Sequence, residues 1–199
     1  MCKPKKERLQ GIVFSCFIAF LLLFLLFPQK KSFEIDFLDV GQGDGIYLCT
    51  GGGTSMFIDG GSTDVKQVGK YRILPFLKAK GVSEISYWFV SHTDTDHVSG
   101  LKEVLVSGYR VEYLVFAKAV EKEAKTKELA ELARSHGTKV FYMQAGDTVR
   151  SKRAAMRCLY PKASDKAEDV NDLCLVLQFE EGDISALFGG DISQMWKSS

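Results

Sequence analysis

Hydrophobic and polar positions change period several times along this chain, and each change marks an element. Residues 11–27, GIVFSCFIAFLLLFLLF, carry no charge and no polar face. Such a run sits at the lower length limit of a membrane-spanning helix, about 17–25 residues. From 33 to 40 the pattern alternates, with Phe33, Ile35 and Phe37 on one side and Glu34 and Asp36 on the other. That is the period of a half-buried strand. A glycine turn (GQGDG, 41–45), a strand over 46–50, the triplet Gly51-Gly52-Gly53 and a strand over 55–58 predict a β-meander. Residues 64–80 turn helical: Val65, Val68, Ile73, Leu74 and Leu77 fall near a 3.6 period, and Gly81 is a fitting stop.

The second half alternates strands with helices. ISYWFV (85–90) is nearly continuous apolar sequence, as expected of a strand buried on both faces. A helix over 98–107, a strand over 111–117, a charged amphipathic helix over 120–135 and a strand over 138–143 follow. Shorter strands are expected over 155–160, 173–179 and 184–188. There is no internal repeat and no low-complexity linker. A meander followed by strand–helix–strand units predicts a mixed α/β layered fold.

Charge divides the chain unevenly. Residues 1–32 hold Lys3, Lys5, Lys6, Arg8, Lys30 and Lys31 against Glu7 alone. Four basic residues before the apolar run and two after it favour an inside N-terminus. The expected organisation is therefore a cytoplasmic tail, an anchor over 11–27 and a short linker within 1–32, then one domain over 33–199. This places the chain at a cell membrane as a single-pass protein with its domain outside the cytoplasm. A cleaved secretory signal is the alternative, although no A-x-A-like site follows the run. The domain itself is mildly acidic, with 20 basic and 24 acidic residues, whereas nucleic-acid binders are usually basic. Its three cysteines, Cys49, Cys158 and Cys174, form no C-x-x-C pair and read as small buried hydrophobes.

Candidate chemistry is concentrated in SHTDTDHVSG, 91–100, which holds two of the three histidines. It follows a buried strand, where α/β folds tend to place ligand sites. His92 and Asp94 point the same way in an extended loop. Asp96 and His97 can both reach inward if the chain bends into a helix there. Two imidazoles and two carboxylates around one small space need a cation, and the donor set suits zinc, manganese or iron. Two close metals would account for two such pairs, and such sites hydrolyse phosphate esters and amides. Helix capping with surface ion pairs is the bland alternative, but it does not require histidine on both sides. His136 stands at a helix C-terminus before Gly137 and reads as structural. Arg150, Lys152, Arg153 and Arg157 fit an anionic substrate or solvated turn positions equally well.

FLDVGQGDGIYL (37–48), FIDGG (57–61), SHTDTDHVSG (91–100) and LFGGDI (187–192), in this order, resemble the metallo-β-lactamase fold. More closely, they resemble the soluble domain of the ComEC DNA-uptake family, whose metal motif has the form H-x-D-x-D-H. The resemblance implies an αββα sandwich over 33–192. It implies that His92 and Asp94 hold one divalent ion, zinc or manganese, and that Asp96 and His97 hold a second. Asp191 would bridge the two. Asp59 would orient a ligand histidine, and Asp44 would stand at the edge of the site. A metal-bound hydroxide would attack, with Asp96 and Asp191 as the catalytic carboxylates. Asn171 would contact substrate or metal, or else serve as a turn residue before a strand. The family continues beyond Asp191 with another strand and a ligand histidine, so the sandwich is expected to be incomplete at its C-terminus and its second site under-coordinated. A single anchor cannot form a pore. The expected protein is thus a membrane-tethered metal-dependent phosphodiesterase acting on DNA or a related anion. Hydrolysis of a lactam, lactone or thioester, or a non-catalytic binding role, are the alternatives.

Overall fold

The computed structural model describes residues 5–26, 32–167 and 170–191, with side chains described over 9–23, 32–167 and 172–191. The chain divides into two compact units, Met1–Lys30 and Lys31–Ser199. The first contains helix α1, Lys5–Leu26. Its described side chains, Ile12, Phe17 and Leu22 among them, are exposed. Among the described residues no helix is long and apolar enough to cross a membrane. The spanning helix expected over 11–27 is not shown among the described residues, and the side chains of 24–27 lie outside them.

The second unit is built on two sheets. One has six strands in the order β1-β2-β3-β4-β5-β6: Glu34–Phe37, Gly45–Cys49, Ser55–Asp59, Glu84–Phe89, Arg110–Ala117 and Lys139–Met143. The meander β1–β3 is antiparallel, and β3 to β6 run parallel. The other sheet is antiparallel, in the order β10-β9-β8-β7, from Thr148–Ser151 (β7), Ala154–Tyr160 (β8), Val176–Glu181 (β9) and Ile184–Phe188 (β10). Helices α2 (Leu74–Ala79), α3 (Thr95–Val106) and α4 (Ala124–Ser135) complete it.

Two apolar clusters show the layering. Phe57, Trp88, Leu114 and Phe116 of the first sheet pack with Leu101 and Leu105 of α3 and Leu129 and Ala133 of α4. On the other face, Met56, Ile58, Phe89 and Val115 pack with Met156, Leu177 and Phe179 of the second sheet. Every residue of β3 is buried, as expected of a central strand covered on both faces. The described layers are helix, sheet, sheet. A helical layer outside the second sheet, which completes αββα, is not among the described residues.

Several boundaries differ from the sequence expectation. The helix expected over 64–80 starts only at Gly69, as a single π-helical turn over Gly69–Ile73 that leads into α2. Pro75 stands in the first turn of α2, where its missing N–H costs nothing. Gln67 holds a φ of 53°, which stops helical geometry from extending further back. The helix expected over 98–107 begins earlier, at Thr95, so Asp96 and His97 lie in its first turn. Strand β7 was not expected, because four residues with a partly buried pattern give too short an alternation to read. Cys49, Cys158 and Cys174 are buried and form no disulfide with one another, and His136 is the C-cap of α4.

Candidate metal centre

The centre forms where β3, β4 and β10 end. β3 stops at Asp59, whose φ of 58° lies in the left-handed region that Asp tolerates better than most residues. The turn passes Gly60 and Gly61 against the start of α3. A Cβ on Gly61 would meet Asp96 C at 2.4 Å and His97 N at 2.5 Å. The GQGDG turn closes on the same point: Asp44 N donates to Asp96 O at 3.3 Å, and Gly61 N donates to Asp44 O at 3.2 Å. Only glycine allows these backbones to approach so closely, and the approach brings three distant segments to one spot.

Asp59 is the buried hub. Its side chain accepts from Ser91 N at 2.8 Å and from Ser91 Oγ at 2.7 Å. Its Oδ2 lies 3.0 Å from His97 Nδ1, and its backbone carbonyl accepts from Trp88 Nε1 at 2.6 Å. Because the Ser91 hydroxyl gives its proton to Asp59, it can only accept from His92 Nδ1, 3.1 Å away. Both histidines therefore carry their neutral-form proton on Nδ1, which leaves both Nε2 lone pairs available. The two rings lie tilted by 48°, with centroids 3.9 Å apart.

Carboxylates gather on the Nε2 side. Asp191 Oδ2 lies 3.4 Å from His97 Nε2, and Asp96 Oδ2 lies 3.9 Å from it. Ligand atoms of His92, Asp96 and His97 all fall within 4.8 Å of one another, as do those of Asp44, His97 and Asp191. The electrostatics follow from this crowding. Burial disfavours a charged His97, but the Asp59 hydrogen bond and charge, with Asp191 and Asp96, outweigh it and hold its pKa up at about 9. Burial, then the charge of His97, push His92 down. Burial, then Asp59, Asp191 and Asp96, push Asp44 up against the opposing pull of His97. Two imidazoles with carboxylates in a largely dry site fit a divalent ion of the zinc, manganese or iron class.

Among the described residues His92 falls in a group with Asp96 and His97. Asp94 stands at the N-cap of α3 and accepts from Lys125 Nζ of α4 at 2.8 Å; it is in neither ligand group. Asp44, expected at the edge, joins the second group. Asp191 is there too, with its side chain half exposed. Asp59 contacts His97 as described above. Residue 171 falls in a short 3₁₀ turn, Val170–Leu173, and the Asn171 side chain lies outside the described residues. Two participants were not foreseen. Ser91 had a visible signal, a small hydroxyl between the buried strand and the first histidine. Lys125 had none, being 31 residues from Asp94. Of the basic cluster, Lys152 donates to Gly52 O at 2.6 Å, a turn contact.

No protein-family model matches the chain. It is 29% identical over 206 aligned positions to ComE operon protein 3 of Bacillus subtilis (strain 168), which covers 96% of this chain and 26% of that protein. It is 31% identical over 124 positions to Recombination protein 2 of Haemophilus influenzae, covering 57% of this chain and 15% of that one. The chain thus spans about a quarter or less of the length of these relatives. Among solved structures, a metallo-β-lactamase of Cronobacter sakazakii superposes with a TM-score of 0.54 at 15% identity, over 81% of this chain and 61% of that one. The chain has the metallo-β-lactamase fold, and its sequence is similar to ComE operon protein 3 and Recombination protein 2.

Proposed function

We propose that this chain is a metal-dependent hydrolase that cleaves phosphodiester bonds, with DNA or a related anionic phosphodiester as substrate. The observation that carries this reading is the convergence of His92, Asp96 and His97, with Asp44 and Asp191 beside them. Similarity to a protein named for recombination supports a nucleic-acid substrate.

In this reading His92, Asp96 and His97 hold one divalent ion, zinc or manganese. Asp44 and Asp191 would hold a second. His97 serves a single ion, because its Nδ1 is engaged by Asp59 and only Nε2 is left. Bound divalent ions supply Lewis acidity and a nucleophile drawn from water at neutral pH. The protein does the rest. Asp59 and Ser91 fix both ring tautomers, and such supporting contacts raise ligand basicity. Asp96 and Asp191 face the reacting group as its carboxylates. Lys125 neutralises Asp94 at the mouth of the motif. Tethering through 11–27, with the domain outside the cytoplasm, belongs to the same proposal; the uncharged run and its basic flank support it.

The test is turnover of bis(nitrophenyl) phosphate and of single-stranded DNA with manganese or zinc supplied. Cleavage abolished by EDTA is expected. Hydrolysis of nitrocefin or a lactone in place of either phosphodiester would overturn the assignment. Resistance of the full chain to carbonate extraction from membranes would support the tether, and its release would refute it.

A further inference from the structure

Beside the metal motif, between α3 and α4, lies a cleft of about 240 Å³ whose lining includes Thr93, Thr95, Ser99, Lys102, Lys125 and Glu128. Its chemistry differs from that of the carboxylate cluster. The hydroxyls of Thr93 and Thr95 and two ammonium groups offer hydrogen-bond donors, while the Ser99 hydroxyl donates to Ser62 O at 3.2 Å. The first turns of α3, from Thr95, and of α4, from Ala124, border it, and helix N-termini favour anions. Among the described residues both lysines are held by exposed ion pairs. Lys125, its side chain 71% exposed, takes Asp94, and Lys102 lies 3.6 Å from Glu128. Exposed pairs of this kind are weak, so an incoming oxyanion can replace either carboxylate. Lys125 also fixes the distance: the cleft is within one lysine side chain of the metal motif.

We propose that this cleft binds a phosphate group of the substrate strand next to the one being cleaved, with Lys102 and Lys125 as the cationic contacts and the Thr93 and Thr95 hydroxyls as additional donors. The inference rests on the phosphodiesterase reading and assigns its substrate: a chain of phosphodiesters, not an isolated one. Lys125, exposed and held by Asp94, can exchange that carboxylate for a phosphate of the strand. Glu128 opposes the anion and limits its affinity.

The experiment compares two substrates of the metal-loaded full chain. Bis(nitrophenyl) phosphate has a single phosphate, whereas a short oligothymidylate has neighbours to offer. Lys102→Met is expected to raise KM about tenfold for the oligonucleotide, from loss of one charge-assisted contact, and to leave the small substrate unchanged. Glu128→Gln is expected to lower the oligonucleotide KM. Equal effects on both substrates, or no effect on either, would overturn the inference while leaving the hydrolase reading intact. If wild type cleaves neither substrate, the hydrolase reading fails, and inorganic phosphate titrated by phosphorus NMR decides the cleft. Binding weakened by Lys102→Met and tightened by Glu128→Gln supports it, and indifference to both refutes it. Displacement of the phosphate by anionic lipid vesicles but not by oligothymidylate would assign the site to a headgroup and refute the strand assignment.

Discussion

Replacing Asp59 by Asn should change how metal affinity depends on pH. A ligand imidazole must be neutral to bind, and in the metal-free protein His97 holds its proton up to about pH 9 because Asp59, Asp191 and Asp96 surround it. At about pH 7 a proton therefore occupies the metal's place in most molecules, and apparent affinity is reduced about 50-fold relative to pH 9. It should climb steeply between those limits. Asn keeps the size and tolerates the left-handed backbone at this position, but it removes the charge. The His97 pKa then falls toward its ordinary value, and the pH dependence flattens above about pH 7. Asn also supports the ring less well, which typically costs about 10–100-fold in metal affinity. The two effects oppose each other at neutral pH and separate at alkaline pH. The variant should match wild type near pH 7 and bind about 10–100-fold more weakly near pH 9. The assay is zinc affinity against a competing chelator across this range. Parallel curves for the two proteins would show that Asp59 does not set the proton competition and would refute the reasoning.

Three further outcomes are expected. The raised His97 pKa stabilises the metal-free protein fully below about pH 6.5; this stabilisation is lost as pH rises through about 9, a fall of about 3 kcal/mol. Urea unfolding at pH 6 and pH 9 measures it, and Asp59→Asn should abolish the difference. Gly61→Ala drives a Cβ into the backbone at Asp96 and His97; overpacking of this kind should cost at least about 2 kcal/mol, seen as a drop in Tm of about 4–8 °C together with weaker zinc binding. His92→Ala and Asp96→Ala should each lose most bound zinc by mass spectrometry, whereas His136→Ala, at the C-cap of α4, should retain the wild-type content.

Local pattern alone determined much of this protein. Period-2 alternation and apolar runs located β1 to β6, and the 3.6 period located α4, because backbone geometry imposes these spacings on any half-buried element. The H-x-D-x-D-H motif placed four donors within six positions, and a strand followed by a helix start gave them a common direction. Tertiary structure decided which of them converge. Asp94 and Asp96 lie two positions apart; α4 brings Lys125 to Asp94, and the first turn of α3 brings Asp96 within reach of both histidines. Asp44 enters the site because Gly43 and Gly61 let two turns close on the first turn of α3. Asp59 becomes the hub because parallel pairing of β3 with β4 sets its end beside Ser91. None of these contacts has a period. Each depends on which distant backbone arrives at the same point, and packing of the whole domain, not local propensity, fixes that.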